Sequence, residues 1–99
     1  MAKPPYTTGF RRVPRRHRKV LKVLLTGARN LNGYVICRWA GVGTGTVYPL
    51  LSALEKCGWA NATWEEGAGF GGTWTRFWTL TPEGRERVAA LLEGRDGDG

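Results

Sequence analysis

Two short runs rich in tryptophan and threonine, separated by a glycine-rich stretch, constrain the fold of this chain most strongly. Trp59–Glu65 and Thr73–Leu80 carry the aromatic and β-branched residues that are typical of strands. The stretch between them contains Gly67, Gly69, Gly71 and Gly72, which favour a loop. The sequence therefore predicts one β-hairpin, while the other apolar segments have helical periodicity.

Four segments have the apolar spacing of amphipathic helices. The first spans Arg15–Arg29, the second is capped by Asn32 and reaches Ala40, and the third spans Thr44–Lys56. Apolar residues of the third helix recur at i, i+3, i+4 and i+7, which places them on one buried face: Val47, Leu50, Leu51 and Leu54. Pro49 is expected to bend its early turns. The fourth helix begins at Thr81–Pro82 and ends near Gly94.

The predicted order is therefore three helices, a hairpin and a final helix. Such an order indicates a mainly α fold with a small β-hairpin, of the winged helix-turn-helix type. The length of 99 residues suits one domain with a modest core. Residues 1–14 are predicted to be a basic flexible N-terminal arm, residues 15–93 the winged helix-turn-helix domain, and residues 94–99 a disordered C-terminal tail.

Charge is distributed very unevenly along the chain, whose net charge is +7. Residues 1–40 contain ten basic residues and no acidic residue, whereas residues 41–99 contain five basic and all eight acidic residues. The first part therefore carries +10 and the second −3. Such asymmetry favours a polyanionic partner for the first part, with nucleic acid ahead of an anionic membrane. The alternative is a solvated arm that only aids solubility.

Several classes of site are not expected. Cys37 and Cys57 form no C-x-x-C pair and His17 is the only histidine, so the sequence predicts reduced thiols, no metal site and no cofactor. A single histidine in a basic run leaves no plausible catalytic triad, and the chain is not expected to be an enzyme. No apolar run is long enough to cross a bilayer and no secretion signal is present, which predicts a cytoplasmic protein without a membrane partner.

A series of short motifs resembles a known family. The motifs are Gly33-Tyr34, Gly41, the run Gly45–Leu51, Leu54-Glu55, Gly58 and the run Phe77–Gly84. Their order and spacing over residues 18–92 resemble the PadR family of bacterial winged-helix transcription regulators. The resemblance also accounts for Pro49, since the family carries a proline at that point of its recognition helix. The chain departs from the family in having Gly43 where serine is common, a wing with little positive charge, and an arginine-rich arm.

The resemblance implies a regulator, and more specifically a repressor, that binds double-stranded DNA as a homodimer with its third helix in the major groove. The outer face of that helix would contact DNA through Thr44, Gly45, Thr46, Tyr48, Pro49 and Ser52. The wing would contribute Thr73, Thr75 and Arg76. The arm and first helix would contribute Arg11, Arg12, Arg15, Arg16, Arg18 and Lys19. Because the outer face has no early Arg, Asn or Gln, we expect sparse base readout and affinity that comes largely from phosphates.

Several alternatives remain open at this stage. Tyr48 either contacts DNA or packs beside Trp39 or the wing, and Trp74 could pack on Arg76, touch DNA or meet a partner. Trp59 and Trp78 are expected in the core. The resemblance implies a dimer contact formed by the first and fourth helices. Val88, Leu91 and Leu92 are its candidate residues, although they could equally pack under the wing. The alternative functions are a phage-type architectural or recombination accessory DNA-binding protein, and a winged helix used for protein–protein contact. No feature indicates a small-molecule effector.

Overall fold

The computed structural model describes residues 13–66 and 74–93. Its elements are α1 (Arg15–Leu25), α2 (Gly33–Ala40), α3 (Thr44–Lys56), β1 (Ala60–Glu66), β2 (Trp74–Leu80) and α4 (Pro82–Leu92). The predicted order of elements and the winged helix-turn-helix fold are confirmed. The predictions for Arg11, Arg12, Thr73 and residues 94–99 lie outside the described residues.

Helix α1 is four residues shorter than predicted. It ends at Leu25. The Thr26 N–H donates a hydrogen bond to the Val23 carbonyl, and the chain then adopts a positive φ of 72° at Gly27. Glycine adopts this left-handed conformation at little cost and commonly ends helices. Ala28 still packs against the core, but it does so from the loop rather than from the helix.

The starts of the other helices depend on their capping residues. The Val35 N–H donates to Oδ1 of Asn32 over 2.8 Å, and the Gly84 N–H donates to Oγ1 of Thr81 over 2.9 Å. Both are the predicted caps. Helix α3 has the predicted bounds although Gly43 offers no side-chain cap. Pro49 lies inside α3, where it removes the N–H that would otherwise bond to the Gly45 carbonyl.

The two strands form an antiparallel hairpin that is attached to the helices at its base. The register runs from Ala60 opposite Leu80 to Glu66 opposite Trp74. On the other edge of β2, the Trp78 N–H donates to the Leu31 carbonyl over 2.9 Å. The loop before α2 therefore acts as a short third strand at the base of the wing.

One apolar core joins all the helices to the base of the hairpin. The predicted inner face of α3 is buried, and so are Trp59, Trp78 and Leu80, as expected from the sequence. Val13 is also buried in this core, although the sequence analysis assigned it to the arm. Gly84 lies so close to the Trp59 carbonyl that any Cβ at position 84 would overlap it.

The structure corrects the expectation that Val88 contacts a second subunit. Its side chain is 0% exposed and belongs to the core of its own chain, so it has no surface left for a partner. Leu91 and Leu92 are only partly buried and pack at the edge of the same core. A contact stripe on α4 can therefore include these two leucines but not Val88.

Three further properties of residues 13–66 and 74–93 bear on function. None of the helices there combines the length and apolar character needed to cross a membrane. The same ranges contain no group of three or more His, Cys, Asp or Glu residues that could hold a metal ion. Cys37 and Cys57 are free thiols, and partial burial raises the pKa of each.

Candidate nucleic-acid interface

The outer face of α3 is a neutral surface of small and hydroxyl-bearing residues. Thr44, Gly45, Tyr48 and Pro49 are exposed, while Thr46 and Ser52 are half-buried at its flanks. The opposite face of the helix supplies core residues, and this burial fixes which side chains point outward. The six residues predicted from the sequence therefore do lie on one accessible surface.

One side of this surface is bordered by the positively charged start of α1. Arg15, Arg16 and His17 share a cleft of about 370 Å³ with Thr46 of α3. The first turn of α1 has no acidic residue, and its cations oppose the helix dipole. Partial burial lowers the pKa of His17, and the nearby charge of Arg16 lowers it further. The positive charge of this cleft at neutral pH therefore comes from the two arginines.

The other side is bordered by the wing, which an ion pair links to α3. Nη2 of Arg76 on β2 lies 2.8 Å from Oε1 of Glu55 on α3. The Arg76 guanidinium also lies over the ring of Trp78, 4.5 Å from its centroid, and 5.5 Å from that of Trp64. Arg76, predicted as a DNA contact, is thus engaged within the protein and helps to position the wing beside α3.

Tyr48 lies between α2 and the wing. Its hydroxyl end packs over Gly33, where a Cβ would overlap the tyrosine ring. The ring lines a cleft of about 380 Å³ together with aromatic residues of α2 and the wing. We call this cavity the aromatic cleft; its lining residues are Asn32, Gly33, Tyr34, Tyr48, Trp64, Trp74, Thr75, Arg76 and Trp78.

The structure brings together most of the residues proposed from the sequence. Two clefts connect these residues. One lies between the start of α1 and the outer face of α3, and the other lies between that face and Thr75 and Arg76 of the wing. Trp39, the alternative neighbour of Tyr48, does not line the aromatic cleft. Sequence reasoning missed Tyr34, Trp64 and Glu55 as members of this region. The sequence analysis interpreted Asn32 as a helix cap and Gly33 as part of a family motif, but neither indicated that Tyr48 packs over Gly33.

Three solved structures of bacterial proteins are similar to this fold. A candidate DNA-binding protein from Ralstonia eutropha JMP134 is similar with 22% identity and a TM-score of 0.62, covering 81% of this chain and 98% of that one. A protein from Streptococcus mutans UA159 has 22% identity and a TM-score of 0.64, covering 83% and 78%. A Streptococcus transcriptional regulator has 26% identity and a TM-score of 0.63, covering 83% of both chains.

The sequence comparisons point to one family. Among curated proteins, none matches this chain. The sequence profile of the transcriptional regulator PadR-like family matches residues 20–90, which is most of the chain and includes α2, α3 and the hairpin. The resemblance seen in the short motifs of α3 and the start of α4 is thereby confirmed, and the chain belongs to the transcriptional regulator PadR-like family.

Proposed function

We propose that this PadR-like regulator binds double-stranded DNA with the outer face of α3 in the major groove. The observation that carries the proposal is the position of that face between two borders, the arginine cleft at the start of α1 and the wing. In winged helix-turn-helix proteins these are the elements that reach the phosphates on either side of the groove. A neutral recognition face with cations at its edge suits this division of contacts.

In this proposal phosphate contacts supply most of the affinity. Arg15 and Arg16 line the cleft, and Arg18 and Lys19 follow them in the early turns of α1, so four cations of this helix would contact phosphates. The hydroxyls of Thr44 and Thr46 and the N-terminal N–H groups of α3 would add neutral phosphate contacts. Arg11 and Arg12 would extend the contact from the arm into a minor groove. Tyr48, Pro49, Ser52 and Gly45 would meet base edges or sugars, so sequence readout is limited.

The wing would contact the neighbouring backbone through Thr73, Thr75 and the exposed part of Arg76. About 37% of the Arg76 side chain is exposed, so the ion pair with Glu55 leaves part of it accessible. A half-exposed pair of this kind contributes at most about 1 kcal/mol to stability. In the proposal, the main role of the ion pair between Arg76 and Glu55 is to position the wing beside α3 for DNA binding.

The direct test is a titration of a fluorescein-labelled duplex of random sequence over a series of salt concentrations. Four phosphate contacts from α1 alone predict that the logarithm of the association constant falls with the logarithm of salt concentration with a slope of about −3.6. Fluorescence anisotropy measures this slope. Absence of binding at low salt, or binding that salt does not weaken, contradicts the proposal and favours a winged helix used for protein–protein contact.

We further propose that the protein acts as a repressor and binds as a homodimer that uses Leu91 and Leu92 of α4. These leucines are partly exposed at the edge of the core, and they are large apolar residues that α4 offers to a partner. A symmetric dimer predicts a two-fold symmetric footprint on its operator. Footprinting of sites selected from a random duplex pool checks this. Phased, asymmetric sites with bent DNA would instead favour the architectural accessory function, which the shortage of base-reading side chains also allows.

This function requires no cofactor and no catalytic step. Because a bacterial transcription regulator must reach chromosomal DNA, we propose that the protein is located in the cytoplasm. No small-molecule effector is needed for the DNA contacts described above.

A further inference from the structure

We propose that the aromatic cleft stacks an unpaired nucleobase, so that the protein binds locally opened DNA more tightly than intact duplex. The inference rests on the proposed DNA-binding function and adds a preference that this function does not require. Apart from Tyr48, the exposed rings of the cleft take no part in the contacts proposed for α1 and α3.

The first observation is that four large rings of the cleft are exposed together. Tyr34 is 50% exposed, Tyr48 47%, and Trp64 and Trp74 59% each. They border a single cleft of about 380 Å³, with the buried Trp78 beside them. The core is complete without these exposed faces, and clustered apolar rings on a small surface commonly mark a binding site.

The second observation is the charge at the cleft. The Arg76 guanidinium lines the cleft, pairs with Glu55 and lies over the rings of Trp64 and Trp78. Arg38 does not line the cleft itself, but it lies over the ring of the lining residue Tyr34, 5.7 Å from its centroid. Aromatic rings beside arginines are the pattern of surfaces that bind single-stranded nucleic acid, because the ring stacks on a base while the cation faces a phosphate. The net charge of +7 makes an anionic occupant favourable as well.

The third observation is the position of the cleft. Tyr48 belongs both to the cleft and to the outer face of α3, so the cleft opens beside the surface proposed to meet DNA. In an intact duplex the faces of the bases are stacked on one another and only their edges are accessible. The exposed ring faces can therefore be used fully only by a base that has left the stack.

The test compares three fluorescein-labelled DNAs: an intact duplex, the same duplex with a central thymine mismatch bubble, and single-stranded oligothymidylate. Stacking of one base predicts that the full chain binds the bubble about tenfold more tightly than the intact duplex. Oligothymidylate is also expected to quench part of the tryptophan emission. The double variant Trp64→Leu, Trp74→Leu is expected to keep its affinity for intact duplex and to lose both the bubble preference and the quenching.

Trp39→Leu is the matched control, since Trp39 is 54% exposed but does not line the cleft. It is expected to behave as the unmodified chain, and thermal melting shows whether each variant remains folded. Equal affinity for bubble and intact duplex, or a bubble preference that survives the double substitution, overturns the inference. Either result leaves duplex binding by α3 intact, whereas loss of all salt-dependent duplex binding in the unmodified chain contradicts the proposed function itself.

Discussion

Replacing Gly84 by alanine is expected to lower the free energy of unfolding by about 3 kcal/mol. Gly84 is the third residue of α4, and a Cβ there would overlap the carbonyl group of Trp59. That carbonyl also accepts the Thr81 N–H over 2.9 Å, so the start of α4 and the end of the Trp59 segment are tied together at this point. Both clashing groups are fixed by the backbone, and neither can rotate away.

Chemical denaturation followed by circular dichroism measures this loss, and a fall in melting temperature of roughly 15 °C accompanies it for a domain of this size. Gly45→Ala is the matched control, because Gly45 also lies in the first turn of a helix but has open space around its Cα. There the better helix propensity of alanine is expected to raise stability by about 0.5–1 kcal/mol. A Gly84→Ala variant as stable as the unmodified chain would contradict the close packing of α4 on Trp59.

Removing two arginines at the start of α1 is expected to weaken DNA binding strongly while slightly stabilising the fold. The double variant Arg15→Ala, Arg16→Ala deletes two proposed phosphate contacts from the cleft shared with Thr46. Each contact contributes about 0.9 to the salt slope, so the slope is expected to flatten by about 1.8 and the affinity at 0.1 M salt to fall roughly 60-fold. Salt-dependent fluorescence anisotropy measures both quantities.

Stability is expected to change in the opposite direction. Positive charges at a helix N-terminus oppose its dipole, and their removal stabilises an exposed helix by about 0.3–1 kcal/mol each. Arg85→Ala, Arg87→Ala is the control with the same charge change, since both arginines are exposed on α4 and line neither the cleft at the start of α1 nor the aromatic cleft. Equal losses of affinity in the two double variants would indicate a general effect of net charge and would contradict a specific role for the start of α1.

The sequence was sufficient to predict those elements whose signals are local. The apolar spacing predicted the bounds of α3, and Thr81 before a proline predicted the start of α4. The burial of Trp78 followed from its place on the same face of the strand as Leu80. By contrast, the end of α1 was missed because Ala28 continues the helical spacing although the helix has already closed near Gly27.

The parts of the candidate site that escaped prediction depend on contacts between distant residues. Arg76 and Glu55 are twenty-one positions apart, and nothing in either local segment indicates that they pair. The aromatic cleft likewise requires that the start of α2 approach the wing closely enough for Tyr48 to lie over Gly33. The sequence left two alternatives open for Val88 for a related reason: an apolar stripe indicates that a face is buried, but not whether its own chain or a partner buries it.

The hydrogen bond from the Trp78 N–H to the Leu31 carbonyl has a mechanical consequence. β2 is held along one edge by β1 and at its base on the other edge by the loop that leads into α2. A force applied to the outer half of the wing is therefore transmitted to the start of α2 instead of being absorbed by a hinge where the wing leaves the body. Since Gly33 lies in that opening turn of α2, we expect a ligand that displaces the base of the hairpin to displace the contact between Tyr48 and Gly33 as well.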